Sequence, residues 1–190
     1  MEKGGQDSLS GLGSSSDTTI LLKSELSSVL SEIGCSRLID VGCGDFNWMK
    51  EVRGDWHYIG IDVAKAVIER NNELYRNENR TFEFVNAVVG PIPKGDVVLC
   101  REVLFHLSFD MAISLIKNVA SSGAKFLLAT SDSSVWFNSD IRTGDYRRLN
   151  LMKSPFRFPK PIREIDESKV CEGRVLGLWP MEQVQQLILK

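Results

Sequence analysis

Apolar residues in this chain recur first at helical spacing and then in short continuous runs. Leu22, Leu26, Val29, Leu30 and Ile33 mark one stripe of a helix, with Thr18 or Thr19 placed to cap its start. Gly34 follows where a left-handed residue commonly ends a helix. RLIDV (37–41), HYIGIDV (57–63), TFEFV (81–85), DVVLC (96–100) and KFLLATS (125–131) then read as five strands. Between them NWMKEV reads as a brief helix and AKAVIERNNELYR as a longer one. Ser108 caps a further helix, with Met111, Leu115, Ile116 and Val119 on one side and Ser121-Ser122-Gly123 closing it. Short apolar strands alternating with helices predict parallel strands buried on both faces. IREIDE and RVLGLW predict two last strands, antiparallel to one another. MEQVQQLILK predicts a terminal helix with Pro180 near its start.

Residues 1–17 are rich in Gly and Ser and read as a flexible segment or lid, which leaves 18–190 as a single domain. The texture changes after Ser131. The segment 132–163 has little periodicity and three prolines, Pro155, Pro159 and Pro161, and it is too long for an ordinary connector. It is expected to face substrate.

Composition narrows the function without choosing it. The chain has 190 residues, 43% hydrophobic and 25% charged, with a formal net charge of −2, which disfavours nucleic-acid binding by bulk positive charge but leaves local patches open. No apolar run suits a membrane span, and the first residues lack the apolar core of a signal peptide, so a cytoplasmic protein is expected. Cys35, Cys43, Cys100 and Cys171 are scattered, and His57 and His106 are the only histidines. A zinc site is not expected, and the thiols read as reduced.

The first strand runs into LIDVGCGDFNW, a glycine turn with an acid on each side, Asp40 and Asp45. In open parallel sheets ligands bind beyond the carboxyl ends of the strands, and glycine lets backbone approach them closely. Asp62 ends the second strand, 22 residues after Asp40, where a carboxylate can accept both hydroxyls of a ribose; capping the next helix is the alternative role. A dinucleotide fingerprint would need a third glycine, and Asp45 would repel a diphosphate. A cationic cofactor without phosphate suits the turn better, and S-adenosylmethionine answers that description.

VGCG between Asp40 and Asp45, the acid at Asp62, NAVVG after the third strand and LCREVLFHL after the fourth resemble motifs of the class I S-adenosylmethionine-dependent methyltransferases. GLGSSSDTT, GDFNWM, NSDIRTGDYRRLNL and LGLW are similar to a poorly characterised bacterial group of them. The resemblance implies a three-layer αβα Rossmann-like fold, a seven-stranded mostly parallel sheet with an antiparallel last strand. It departs at Phe46, where the usual third glycine stands. It also implies that Asp40, Gly42, Cys43 and Gly44 surround the methionyl part and that Asp62 holds the ribose. Val63, Asn86 and Ala87 would lie at the adenine, with Cys100 and Arg101 flanking the sulfonium. Arg101 sits awkwardly beside a cation, so its side chain is expected to turn toward substrate or the cofactor's carboxylate.

His106, six residues past the fourth strand, is the leading general base, with a structural role holding a backbone carbonyl as the alternative; Asp132 and Asp140 are further candidates. Seven basic residues from Arg142 to Arg163, interleaved with Tyr146, Phe156 and Phe158, read either as a site for an anionic acceptor or as a solvated surface with its aromatics in the core. Asn138, Asp140, Arg142, Tyr146 and Arg147 are expected nearest the substrate. Ser14 to Thr19 would close over the cofactor's carboxylate. The function expected is methyl transfer to a small, anionic or sugar-like acceptor. A cofactor-binding module acting through partners and a nicotinamide-dependent oxidoreductase are the alternatives. Acceptor identity and oligomeric state are not legible.

Overall fold

The computed structural model describes residues 20–188. The expected cap at Thr18 or Thr19, the expected lid and the last two residues lie outside that range. The first helix, α1 (Ile20–Glu32), buries Leu22, Leu26, Val29 and Leu30. It ends at Gly34, whose φ of +64° lets the Gly34 and Cys35 amides turn back to the carbonyls of Ser31 and Leu30.

Seven strands form one sheet: β1 (Arg37–Val41), β2 (His57–Asp62), β3 (Arg80–Phe84), β4 (Val97–Cys100), β5 (Phe126–Asp132), β6 (Arg163–Asp166) and β7 (Arg174–Pro180). Their order is β3-β2-β1-β4-β5-β7-β6, with β1 to β5 parallel and β7 antiparallel to both its neighbours. This is the expected mixed sheet of a Rossmann-like methyltransferase fold. Its central strands alternate between two apolar layers. Leu38, Val97, Leu99 and Leu128 face a layer containing α1 and Ile68 of α2 (Lys65–Tyr75), and Ile39, Val98, Leu127 and Ala129 face a layer containing α3 (Phe109–Ser121) and α4 (Met181–Ile188). Burial on both faces is what their unbroken hydrophobic runs predicted.

Two local details differ from the periodicity. The brief helix is a single 3-10 turn, Met49–Glu51. In α3 the Ser108 hydroxyl accepts the Met111 amide as expected, yet the buried face is Ala112, Leu115, Ile116, Val119 and Ala120. Met111 stays exposed, its sulfur accepting from the Thr143 hydroxyl. Pro180 closes β7 and stands directly before α4, near its start as expected.

After β3 the chain returns to the sheet centre through residues 85–96 with no helix, burying Ala87 and Ile92 on the way. Strand order therefore reverses between β1 and β4. Their carboxyl ends border the crevice where this fold class takes ligands.

Candidate active site

The turn after β1 is fixed from three directions. The Gly42 and Cys43 amides donate to the Ile61 carbonyl at 2.8 and 3.1 Å, tying the turn to β2. Asn71, buried in α2, donates its side-chain amide to the Gly44 carbonyl at 2.7 Å. Asp62 accepts the Gly44 amide on one oxygen and the Ala64 amide on the other. Asp62 therefore does not cap α2, whose N-cap is Ala64 with no side-chain cap; it joins two turns, with second lone pairs left on both oxygens. Gly42 is required twice over: its φ is +73°, and a Cβ there would stand 2.5 Å from Val103 Cγ2.

Phe46 explains how the turn manages without its third glycine. Its backbone adopts φ +59°, the left-handed conformation glycine would supply. That costs about 1–2 kcal/mol for a side-chain-bearing residue. The ring offsets it by packing among Tyr58, Tyr75 and Phe82 at centroid distances of 4.9–5.4 Å, beneath the Arg80 guanidinium. Phe46 is 2% exposed.

Two cavities flank this turn. One, of about 90 Å³, is lined by Asp40, Gly42, Cys43, Gly44, Asp45, Trp48, Arg101, Glu102 and His106. The other, of about 110 Å³, is largely apolar and runs from Val41 and Asp62 past Val63, Asn86 and Ala87 to Leu115. A larger cavity of about 630 Å³ lies at the opposite end of the sheet, where β2 and β3 begin. The strand topology directs ligand to the carboxyl ends, so size does not decide here. His57, exposed at the start of β2, lines that larger cavity and not the one at the glycine turn.

The smaller cavity has a chemical bias. Asp40 is 4% exposed and accepts the Tyr58 hydroxyl at 2.6 Å. Burial pushes its carboxyl up to about 6, against the lowering effects of the Tyr58 hydrogen bond and of Arg101. A carboxylate held this reluctantly in a cavity wall favours a cationic guest. Burial also raises the Cys43 and Tyr58 groups, so both stay neutral at physiological pH.

The expected site residues divide. Val63, Asn86 and Ala87 border the apolar cavity as placed, although the Asn86 side-chain oxygen accepts the Val88 amide. Cys100 does not reach the cavity. Its thiol is buried in the α3-facing layer, and burial pushes it to about 12. Arg101 does line the cavity, but turns neither to solvent nor to an open anion pocket. Its Nε and Nη2 donate to Oε1 of Glu167 at 2.8 and 2.6 Å, and its guanidinium lies over Trp48. Glu167 is 3% exposed and comes from the turn between β6 and β7. Next to it Glu102, with φ +59°, accepts Arg174 Nη1 at 2.7 Å, and Arg174 Nη2 donates to the Tyr146 hydroxyl.

His106 lines the same cavity, and its Nδ1 stands 2.9 Å from the Asp145 carbonyl. A carbonyl only accepts, so neutral His106 carries its proton on Nδ1 and leaves a lone pair on Nε2. The holding role and the base role are thus compatible in one side chain. Tyr146 packs near it, with centroids 5.8 Å apart.

The remaining candidates are engaged elsewhere. Asp132 accepts Arg148 through both oxygens and Ser134 as well; burial raises its carboxyl, but these hydrogen bonds outweigh it and leave a net lowering. It does not line the cavity. Asp140 accepts the Phe109 and Ile141 amides at the start of α3. Asn138 bonds Asn150 on both sides of its amide and also the Ser154 carbonyl, clamping the long segment to itself. Arg142 is exposed. Arg147 is buried against the Phe109 ring and donates to the Leu107 carbonyl. Phe156 and Phe158 are core residues. Of the seven basic residues, Arg147 and Arg148 hold the segment together, and the aromatic interleaving is largely packing. Among the described residues no group of His, Cys, Asp and Glu is disposed to hold a metal ion.

Comparison with known proteins agrees with the sheet. Residues 39–123 match the family described as a methyltransferase domain. No curated protein is significantly similar in sequence. Among solved structures, the N-methyltransferase NodS from Bradyrhizobium japonicum WM9 superposes with a TM-score of 0.65 at 14% identity, covering 89% of this chain and 98% of that one. The methyltransferase domain of bacterial CtHen1-C gives 0.64 at 14% identity, covering 86% and 98%. The N-terminal domain of EvdMO1, solved in the presence of SAH and D-fucose, gives 0.58 at 12% identity, covering 83% and 82%. The chain has the class I S-adenosylmethionine-dependent methyltransferase fold. At these identities the likeness speaks for the fold alone.

Proposed function

We propose that the protein is an S-adenosylmethionine-dependent methyltransferase acting on a small-molecule acceptor. The observation that carries this is the buried Asp40 carboxylate in the wall of a cavity floored by the Gly42–Gly44 backbone. That wall suits an ammonium or sulfonium and opposes a diphosphate. Asp62 lines the apolar cavity and accepts the amide of Gly44 from the other; it has lone pairs for a ribose, and the apolar cavity suits a purine. When bound, the cofactor supplies a methyl group already activated on sulfur.

The chain's task is then to hold and align. Asp40 and the close approach of the side-chain-free Gly42 and Gly44 backbone orient the methionyl end, and Asp62 fixes the sugar. His106, its Nδ1 proton committed to Asp145, offers Nε2 to take a proton from an acceptor hydroxyl or amine. Tyr146 and Glu102 bound the side from which the acceptor would enter. Positioning of this kind accounts for about 7–11 kcal/mol of a barrier in favourable systems.

Calorimetry with S-adenosylmethionine, S-adenosylhomocysteine and NAD tests the assignment. Heat of binding with the two sulfur compounds and none with NAD is expected. No binding of either sulfur compound would overturn it.

A further inference from the structure

Building on that cofactor reading, we infer that Glu167 is the positioning residue that lets this pocket accept a sulfonium despite Arg101. Arg101 lines the cavity beside Asp40 and carries a permanent positive charge, which by itself would repel a cationic cofactor. Glu167 comes from 66 residues away and places one oxygen against two guanidinium nitrogens, at 2.6 and 2.8 Å. Glu102 stands 3.7 Å from the same guanidinium and is itself matched by Arg174 at 2.7 Å. The two arginines and two glutamates cancel, so the carboxylates of Asp40 and Asp45, which line the same cavity, set the sign of the pocket.

Stability alone does not account for this arrangement. Glu167 is 3% exposed, and its second oxygen has no hydrogen-bond partner. Burying such a pair costs as much as it returns, and an apolar pair of similar volume serves a core equally well. What an apolar pair cannot do is hold a guanidinium at the cavity wall with its charge neutralised.

The test compares affinities for S-adenosylmethionine, which is cationic at sulfur, and S-adenosylhomocysteine, which is not. Both carry the same amine, carboxylate, ribose and adenine. Wild type, Glu167→Gln, Arg101→Met and the double variant are titrated with each by calorimetry. An unbalanced unit charge across a pocket of this size, at an effective dielectric of about 20, changes affinity about tenfold or more. Glu167→Gln is therefore expected to lose S-adenosylmethionine affinity about tenfold or more while its affinity for S-adenosylhomocysteine moves less than about threefold. The double variant is expected to return the ratio toward that of wild type. Should Glu167→Gln be too unstable to titrate, the pair of Arg101→Met and the double variant decides, because both are expected to keep or raise the preference for the sulfonium. Parallel loss of both ligands in Glu167→Gln, or a preference lowered in Arg101→Met, overturns the inference and leaves the cofactor assignment standing. Failure of wild type to bind either ligand would instead remove the assignment beneath it.

Discussion

Replacing Asp40 by asparagine should make the ligand-free protein more stable and the cofactor site inactive. The Asp40 carboxyl is raised from 3.8 to about 6, chiefly by burial. The folded state therefore binds a proton more readily than the unfolded state between those values. Stability from this group is fully present at low pH and is lost as pH rises through the folded value. Linkage puts the deficit at about 3 kcal/mol near pH 7.5 and about half that near pH 5. Asparagine never ionises, and its side-chain oxygen can still accept the Tyr58 hydroxyl now held at 2.6 Å. Urea denaturation of both proteins near these two values should show the variant ahead by a margin of about 3 kcal/mol that shrinks to about half at the lower pH. In thermal melts that is a rise of about 6 °C or more near neutrality. Calorimetry should show cofactor affinity lost in the variant, and in wild type falling about tenfold per pH unit below about 6, where Asp40 takes up its proton. A variant less stable than wild type near neutrality, a margin independent of pH, or an unchanged affinity would each refute the reasoning.

Other perturbations read separate parts of the site. Phe46→Gly should be more stable than Phe46→Ala by about 1 kcal/mol in urea, because glycine relieves the left-handed backbone; both should fall below wild type through loss of the ring. Gly42→Ala should abolish cofactor binding, and trimming the obstruction with Val103→Ala should restore only part of it, since the φ of +73° remains unfavourable. Asp62→Ala should weaken cofactor binding and also cost about 2 kcal/mol in denaturation, as the Gly44 and Ala64 amides lose their acceptor. His106→Ala should lower turnover by about 10²-fold or more with cofactor affinity nearly unchanged; equal effects on both would take it out of the chemistry.

The architecture was legible because it rests on local pattern. Buried parallel strands appear as unbroken apolar runs, and the Ser108 cap and the Gly34 stop have short-range signals. In α3 the expected stripe runs through Met111, whereas Ala112 is the buried position, because small apolar residues weigh little in such a pattern. The glycine turn after β1 was legible for the same local reasons.

The wall of the cavity around Arg101 and His106 was not, since its contacts span long sequence separations. Nothing near Arg101 announces Glu167, and nothing near His106 announces the Asp145 carbonyl. Charge runs mislead for a related reason. Arg147 and Arg148 look alike in sequence, yet one packs on Phe109 and the other clasps Asp132, so neither resembles a solvated patch. Asn71 carried a weak signal at most, an amide on the inner side of a helix whose neighbours are apolar.

The left-handed phenylalanine has a practical consequence for recognising related chains. Handedness of the backbone at position 46, and an aromatic niche to receive a ring, do here what a hydrogen side chain does elsewhere. Searches keyed to the spelling of three glycines would pass over any chain that made this exchange. Screening for an aromatic third letter together with tyrosine and phenylalanine on the two adjoining outer strands would recover them.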